Sequence, residues 1–274
     1  MAKRPPLTHF LCLPLLSRAS RPAFERASTT FKEKLRNLPQ PLDPEELGRA
    51  IRPLGTIHLT LGVMSLTNQE RVEGAVKFLD DLDLKSLLTV DPVQDEAAVP
   101  KTGESDVSTR QQNAAEGSAR QTNATTADSH DNASKHFTVT ISSLKTMKSA
   151  SKTSVLYAEP TDATGRLLPF SQQIKTQFTD AGYVNEEKRE LKLHATILNT
   201  LYASNKSRKG PRKKKPMLID ATDIIQEFDD FTWAEDVVLE KIAICEMGAK
   251  KIEDENGSVV DEQYTEIASK PLPM

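Results

Sequence analysis

One short pattern occurs twice in the 274-residue chain and limits what that chain can build. The first copy is Thr56-Ile57-His58-Leu59-Thr60-Leu61-Gly62, and the second is Lys192-Leu193-His194-Ala195-Thr196-Ile197-Leu198. Both set His-x-Thr inside an apolar, strand-like run. Residues two apart in a strand face the same side. His58 and Thr60 therefore share one face, while Ile57, Leu59 and Leu61 share the other. His194 and Thr196 stand in the same relation to Leu193, Ala195 and Ile197. Each strand offers an apolar face to a core and an imidazole–hydroxyl face to something else. Brought together, the two polar faces would hold two imidazoles and two hydroxyls over one cleft.

Two imidazoles over one cleft suit paired general acid–base chemistry, of which phosphodiester cleavage is one example. Cleaving a phosphodiester needs a water or hydroxyl deprotonated on one side and a leaving oxygen protonated on the other. One imidazole cannot serve both sides of an in-line displacement. Two can, because imidazole titrates near neutral pH. Hydroxyls two residues along, at Thr60 and Thr196, are placed to donate to the charge that develops on the phosphoryl oxygens. The scheme requires no metal and no cofactor. The competing reading of either motif alone is a half-buried structural histidine beside a threonine, a favoured strand residue.

These paired strands resemble the two-histidine (2H) phosphoesterase superfamily. The likeness is to the branch holding the phosphoesterase-like domain of kinase A anchoring proteins and of a subunit of the activating signal cointegrator complex. Thr8 to Leu15 is similar to the family's opening strand, and Val155 to Ala158 to the strand before its second long helix. Phe178 to Tyr183 resembles that helix's exit, and Phe231 to Glu235 with Leu239 to Met247 the closing segment. The likeness covers most of the chain outside about 92–135. It implies an α+β fold, two-lobed, with mainly antiparallel sheets around a central cleft. It also implies His58, Thr60, His194 and Thr196 as the catalytic set. Lys192 stands two before the second histidine, where related sequences often carry a different residue.

Composition bounds the rest. A chain of 274 residues, 37% hydrophobic, can bury one large core or two small ones. A net charge of −3 excludes a global field for polyanions, so nucleic-acid contact must come from a local patch. Cys12 and Cys245 both sit in apolar runs and are expected as buried free thiols rather than a disulfide. No apolar stretch approaches the roughly 20 residues that span a bilayer. Lys3, Arg4, Arg18, Arg21 and Arg26 flank an apolar run in the manner of a transit peptide. Pro5, Pro6 and Pro14 interrupt any helix there, so a first strand is preferred.

Read in order, the chain predicts a strand over 7–16 and a helix over 21–37 with Ser20 as N-cap. Phe24, Ala27, Phe31 and Leu35 form that helix's inner stripe. A turn over 45–49 leads to the first motif strand, 56–64. A helix to about Leu82 follows, capped by Thr67 with Glu70 at capping-box spacing. Strands are expected near 137–141 and 154–158. A helix over 165–182 carries Leu167, Leu168, Phe170, Ile174 and Phe178, and Gly182 ends it. The second motif strand spans 191–199, a helix 219–228 and a strand 237–247. Tyr264 to Ala268 is expected to pair with that last strand as a hairpin arm, with Asn256-Gly257 near the turn.

Residues 5–91 and 136–270 thus read as one two-lobed domain. Between them, 92–135 is polar, without an aromatic residue, and expected as a disordered insertion in which His130 is solvated. The basic loop, 204–216, carries Lys206, Arg208, Lys209, Arg212, Lys213, Lys214 and Lys215. It is read as a nuclear localisation signal, a phosphate-tracking arm or a solvated loop. Together these readings predict a monomeric, metal-independent phosphodiesterase, nuclear or cytoplasmic, with no membrane contact. Its partner is a nucleotide or RNA phosphodiester: an RNA end, a 2′,3′-cyclic phosphate or a small nucleotide. The alternative is a non-catalytic nucleotide- or RNA-binding module of a nuclear transcription-coactivator or anchoring complex.

Overall fold

The first strand, β1 (His9–Pro14), is buried along almost its whole length because it is paired on both sides. Its neighbours are β2 (His58–Met64) and β7 (Lys241–Glu246). The computed structural model describes residues 5–39, 42–88, 137–187, 189–203 and 216–273. The expected insertion at 92–135 and the basic run Lys206–Lys215 lie outside the described residues.

Eight strands form one sheet, antiparallel at every pairing. It begins at β10 (Glu266–Pro271), passes through β7, β1 and β2, and crosses to β5 (Ala195–Asn199). It continues through β4 (Val155–Thr161) and β3 (Thr138–Thr146) to β6 (Thr232–Val238). Four strands stand on each side of the β2–β5 seam, and both motifs lie at that seam. The two expected lobes are therefore halves of one sheet. A separate hairpin, β8 (Lys250–Glu253) with β9 (Val259–Gln263), packs on the turn Leu54–Thr56 that leads into β2.

The helices brace the halves against each other. α1 (Arg21–Arg36) leaves the first half and packs on β6 of the second, with Phe31 edge-on to Phe228 at 4.8 Å and 5.1 Å from Trp233. α5 (Leu167–Asp180) belongs to the second half and packs on β2 of the first. It meets α3 (Gln69–Asp81) through Phe78 and Phe178, 4.9 Å apart. Burying each such ring is worth roughly 1.5–3 kcal/mol, so the crossed helices fix the seam's geometry. Phe24, Ala27, Phe31 and Leu35 are buried, as their spacing predicts. Two short helices, α4 (Leu84–Leu88) and α6 (Thr222–Glu227), cover the edges of this packing.

Four local expectations are corrected and one is refined. Asn68, not Thr67, caps α3, its Oδ1 accepting from the Arg71 N–H at 2.9 Å. Ser20 holds the N-cap position of α1 as expected, but its hydroxyl donates to the Leu15 carbonyl and accepts from no helix N–H. Leu168 is exposed, since α5 turns only Leu167, Phe170, Ile174 and Phe178 of its apolar set inward. The run 237–247 is two strands, because the chain leaves β6 at one edge and enters β7 in the other half. Asn256-Gly257 lies in the β8–β9 hairpin, and the arm that pairs with β7 is β10. Gly182 does end α5, with φ of +76°; its N–H and that of Tyr183 bond back to Thr179 and Phe178.

The two faces of the sheet differ. Leu11, Leu13, Leu59 and Leu61 enter the main core with the helices. Phe10, Cys12, Ala243 and Cys245 form a second, small apolar cluster, with Val63 and Tyr264 beside it. The two cysteines are free thiols with Sγ atoms 4.0 Å apart.

Candidate active site

The seam sets the site. Leu59 and Ala195, the middle residues of the two motifs, pair across β2 and β5 in antiparallel register. That register puts His58 opposite Thr196 and Thr60 opposite His194. Both pairs sit on the face away from Leu59 and Ala195, which are fully buried in the core. Directly opposed residues bring their Cβ atoms to about 4.5–5.5 Å. His58, Thr60, His194 and Thr196 are all partly exposed, on one face. His194 lies one residue ahead of β5 rather than within it, so the second motif strand is shorter than 191–199.

The two imidazoles are held alike. His58 Nδ1 donates to the Thr56 carbonyl at 2.8 Å, and His194 Nδ1 donates to the Lys192 carbonyl at 2.7 Å. In each case the acceptor is the carbonyl two residues back. A carbonyl only accepts, so both rings carry their proton on Nδ1 and turn Nε2 away from the backbone. The Thr60 hydroxyl donates to His58 Nε2 at 3.0 Å. Among the described residues no protein group bonds His194 Nε2.

The surroundings of the rings differ. Phe10 stacks on His58 with centroids 4.8 Å apart, and Tyr264 meets it edge-on at 5.3 Å. His194 has Tyr157 edge-on at 5.5 Å, and the Lys192 ammonium lies 5.1 Å from the Tyr157 centroid. Burial pushes the His58 pKa down to about 4; the Thr56 bond opposes this, while His194 and Arg52 repel the proton further. Burial also lowers His194, against its bond to Lys192 and with help from the Lys192 charge. Both shifts favour the neutral form of the ring.

A cavity of about 190 Å³ opens beside His58, lined by Phe10, Cys12, Cys245 and Tyr264 among others. A second, of about 300 Å³, opens on the other half next to Lys192, Leu193 and Glu159. Among the described residues no three His, Cys, Asp or Glu side chains are grouped to hold a metal. No helix of the described residues is long and apolar enough to cross a membrane. The alternation of each motif predicted the four His and Thr positions. It gave no sign of Arg52, Tyr157 or Tyr264, which reach the same face from other segments.

The sequence profile described as the AKAP7 2'5' RNA ligase-like domain matches residues 7–262. The chain belongs to that family. It is thus a member of the two-histidine phosphoesterase superfamily of the kinase A anchoring protein type. A relative in Schizosaccharomyces pombe, the uncharacterized protein C15D4.13c, is 28% identical over 125 residues. That match takes in 46% of this chain and about half, 52%, of the relative's own length. Among solved structures, E. coli LigT complexed with 3'-AMP is 12% identical, with a TM-score of 0.46 over 98% of this chain and 99% of that one. TT0787 of Thermus thermophilus is 13% identical, with a TM-score of 0.44 over 97% and 98%. LigT was also solved with NADP+ and with ATP.

Proposed function

We propose that this member of the family is a metal-independent phosphodiesterase acting on a nucleotide or RNA phosphodiester. The observation that carries the reading is the matched pair of imidazoles. Both are fixed through Nδ1 to a backbone carbonyl, and both lie on one face of a single strand pair.

His58, the more strongly depressed of the two, is the general base, and His194 is the general acid. The base takes a proton from the attacking water or hydroxyl at Nε2. The acid gives a proton from Nε2 to the leaving oxygen, so it enters the cycle protonated. Each role is worth about 10²–10⁴-fold. Thr60 donates to His58 Nε2 at rest and turns to a phosphoryl oxygen once ligand enters. Thr196, across from His58, donates to the other side of the same group. The aromatic faces of Phe10 and Tyr264 beside His58 suit a nucleoside attached to the phosphate.

Turnover of a 2′,3′-cyclic nucleotide and of a dinucleoside phosphate, with a chelator present, tests the reading. Hydrolysis that a chelator leaves unchanged is expected. Tight nucleotide binding with no turnover of either substrate would instead support a binding module within a larger assembly.

A further inference from the structure

Among the described residues, Arg52 is a buried cation without a counter-ion. It sits where the chain leaves α2 (Pro44–Ala50) and runs along β5; its backbone N–H donates to the Ile197 carbonyl at 2.8 Å, and Ile51 bridges Leu198. Only 7% of the residue is exposed. The guanidinium lies over the Tyr202 ring, with Cζ 4.0 Å from its centroid, and reaches the Tyr264 side chain. Its charge is felt at His58.

Other arginines nearby are paired with acids. Arg49 bonds Glu45 and the Ala203 carbonyl, and Arg21 pairs with Asp261. Arg52 belongs to none of the ion pairs among the described residues. Buried charges are normally paired or ligated, because leaving water is costly. Here the guanidinium's neighbours are the aromatic side chains of Tyr202 and Tyr264, with no carboxylate paired to it among the described residues. A purely structural cation–π brace would account for Tyr202 but not for the reach to Tyr264, whose ring meets His58 at 5.3 Å.

We propose that Arg52, braced by Tyr202 and Tyr264, is the anion-binding residue of the cleft and takes the non-bridging oxygens of a phosphoryl group lying against His58. This rests on the cleft being the phosphoryl site described above. The guanidinium's planar fork fits two such oxygens, and stacking on Tyr202 holds that fork in place. In the opposite half, Lys192 offers a point charge beside Tyr157. The phosphoryl group is therefore anchored from the His58 side and left open toward His194.

The test uses the full chain and inorganic phosphate, followed by calorimetry and by NMR of the arginine side-chain Nε–H signals. Arg52→Met keeps the stem on Tyr202 and removes the charge. It should weaken phosphate by about tenfold or more, and Arg52→Lys by about threefold or more, with the fold intact. In the wild-type protein the Arg52 Nε–H signal, assigned by its loss in Arg52→Lys, should shift with the phosphate isotherm. An unmoved signal at saturation, a folded Arg52→Met with wild-type affinity, or a wild type that binds no phosphate would overturn the proposal. If Arg52→Met fails to fold, the wild-type signal decides. Phosphate held by Arg52 in a protein that hydrolyses nothing would sink the hydrolase reading alone. Hydrolysis with phosphate affinity indifferent to Arg52 would sink this one alone.

Discussion

Leu59 and Ala195 face each other across the seam, and this one pairing sets His58 against Thr196 and Thr60 against His194. Neither residue has any exposed surface, so the pair leaves no slack. Ala195→Leu should cost about 1–3 kcal/mol of stability in urea denaturation, because overpacking a tight core forces backbone shifts. Those shifts fall on the residue next to His194, so activity should fall further than the stability loss explains. Unchanged activity in a destabilised Ala195→Leu would show that the register does not hold the imidazoles.

The depressed His58 makes a claim about stability. Its pKa falls from 6.5 to about 4 on folding. Above pH 6.5 the ring is neutral in both states and contributes nothing. As pH falls through that window the unfolded chain takes a proton and the folded one does not, so stability drops. The loss is complete below the folded pKa and amounts to roughly 3 kcal/mol. Between pH 7 and pH 4, His58→Gln should lose less stability than wild type by most of that amount. Parallel stability curves for the two proteins would contradict it.

Activity should follow both rings. The pH profile of kcat/KM reports the free protein's groups. It should be a bell whose acid limb reflects His58 near pH 4 and whose alkaline limb, from His194, lies below 6.5. The acid role is separable. With a p-nitrophenyl diester, whose leaving group needs no proton, His194→Ala should retain far more activity than His58→Ala. Equal losses on that substrate would reverse or remove the assignment.

Much of this site was legible because a strand repeats every two residues. His58, Thr60, His194 and Thr196 each declared their face through their apolar neighbours. The seam between the motifs was not legible, since register depends on partners distant in sequence. Arg52 left no signal at all, because Tyr202 and Tyr264, which hold it, are brought in by other segments. The run 237–247 misled for a similar reason. Its apolar pattern continues through Leu239, whose N–H bonds the Phe137 carbonyl at 2.8 Å as the chain passes from one half to the other. Thr67 and Asn68 are both good caps, and local sequence alone does not choose between adjacent candidates.

The basic run is a separate proposal, drawn from composition. Seven of the ten residues from Lys206 to Lys215 are basic, a density typical of import signals. Replacing Lys213, Lys214 and Lys215 with Ala should release a tagged protein from the nucleus, as seen by fluorescence microscopy. An unchanged distribution would remove the import reading. RNA affinity that is then insensitive to salt would remove the phosphate-tracking reading as well.

The central claim is that His58 and His194 act as a unit on one phosphoryl group. The most direct measurement is kcat/KM on one phosphodiester whose leaving alkoxide needs a proton, for wild type, His58→Ala, His194→Ala and the double variant. Each single change should cost about 10³-fold or more, and the double variant should fall within about tenfold of the worse single, because residues acting together are not additive. Losses that multiply in the double variant, or a single variant with near wild-type rate, would contradict the account.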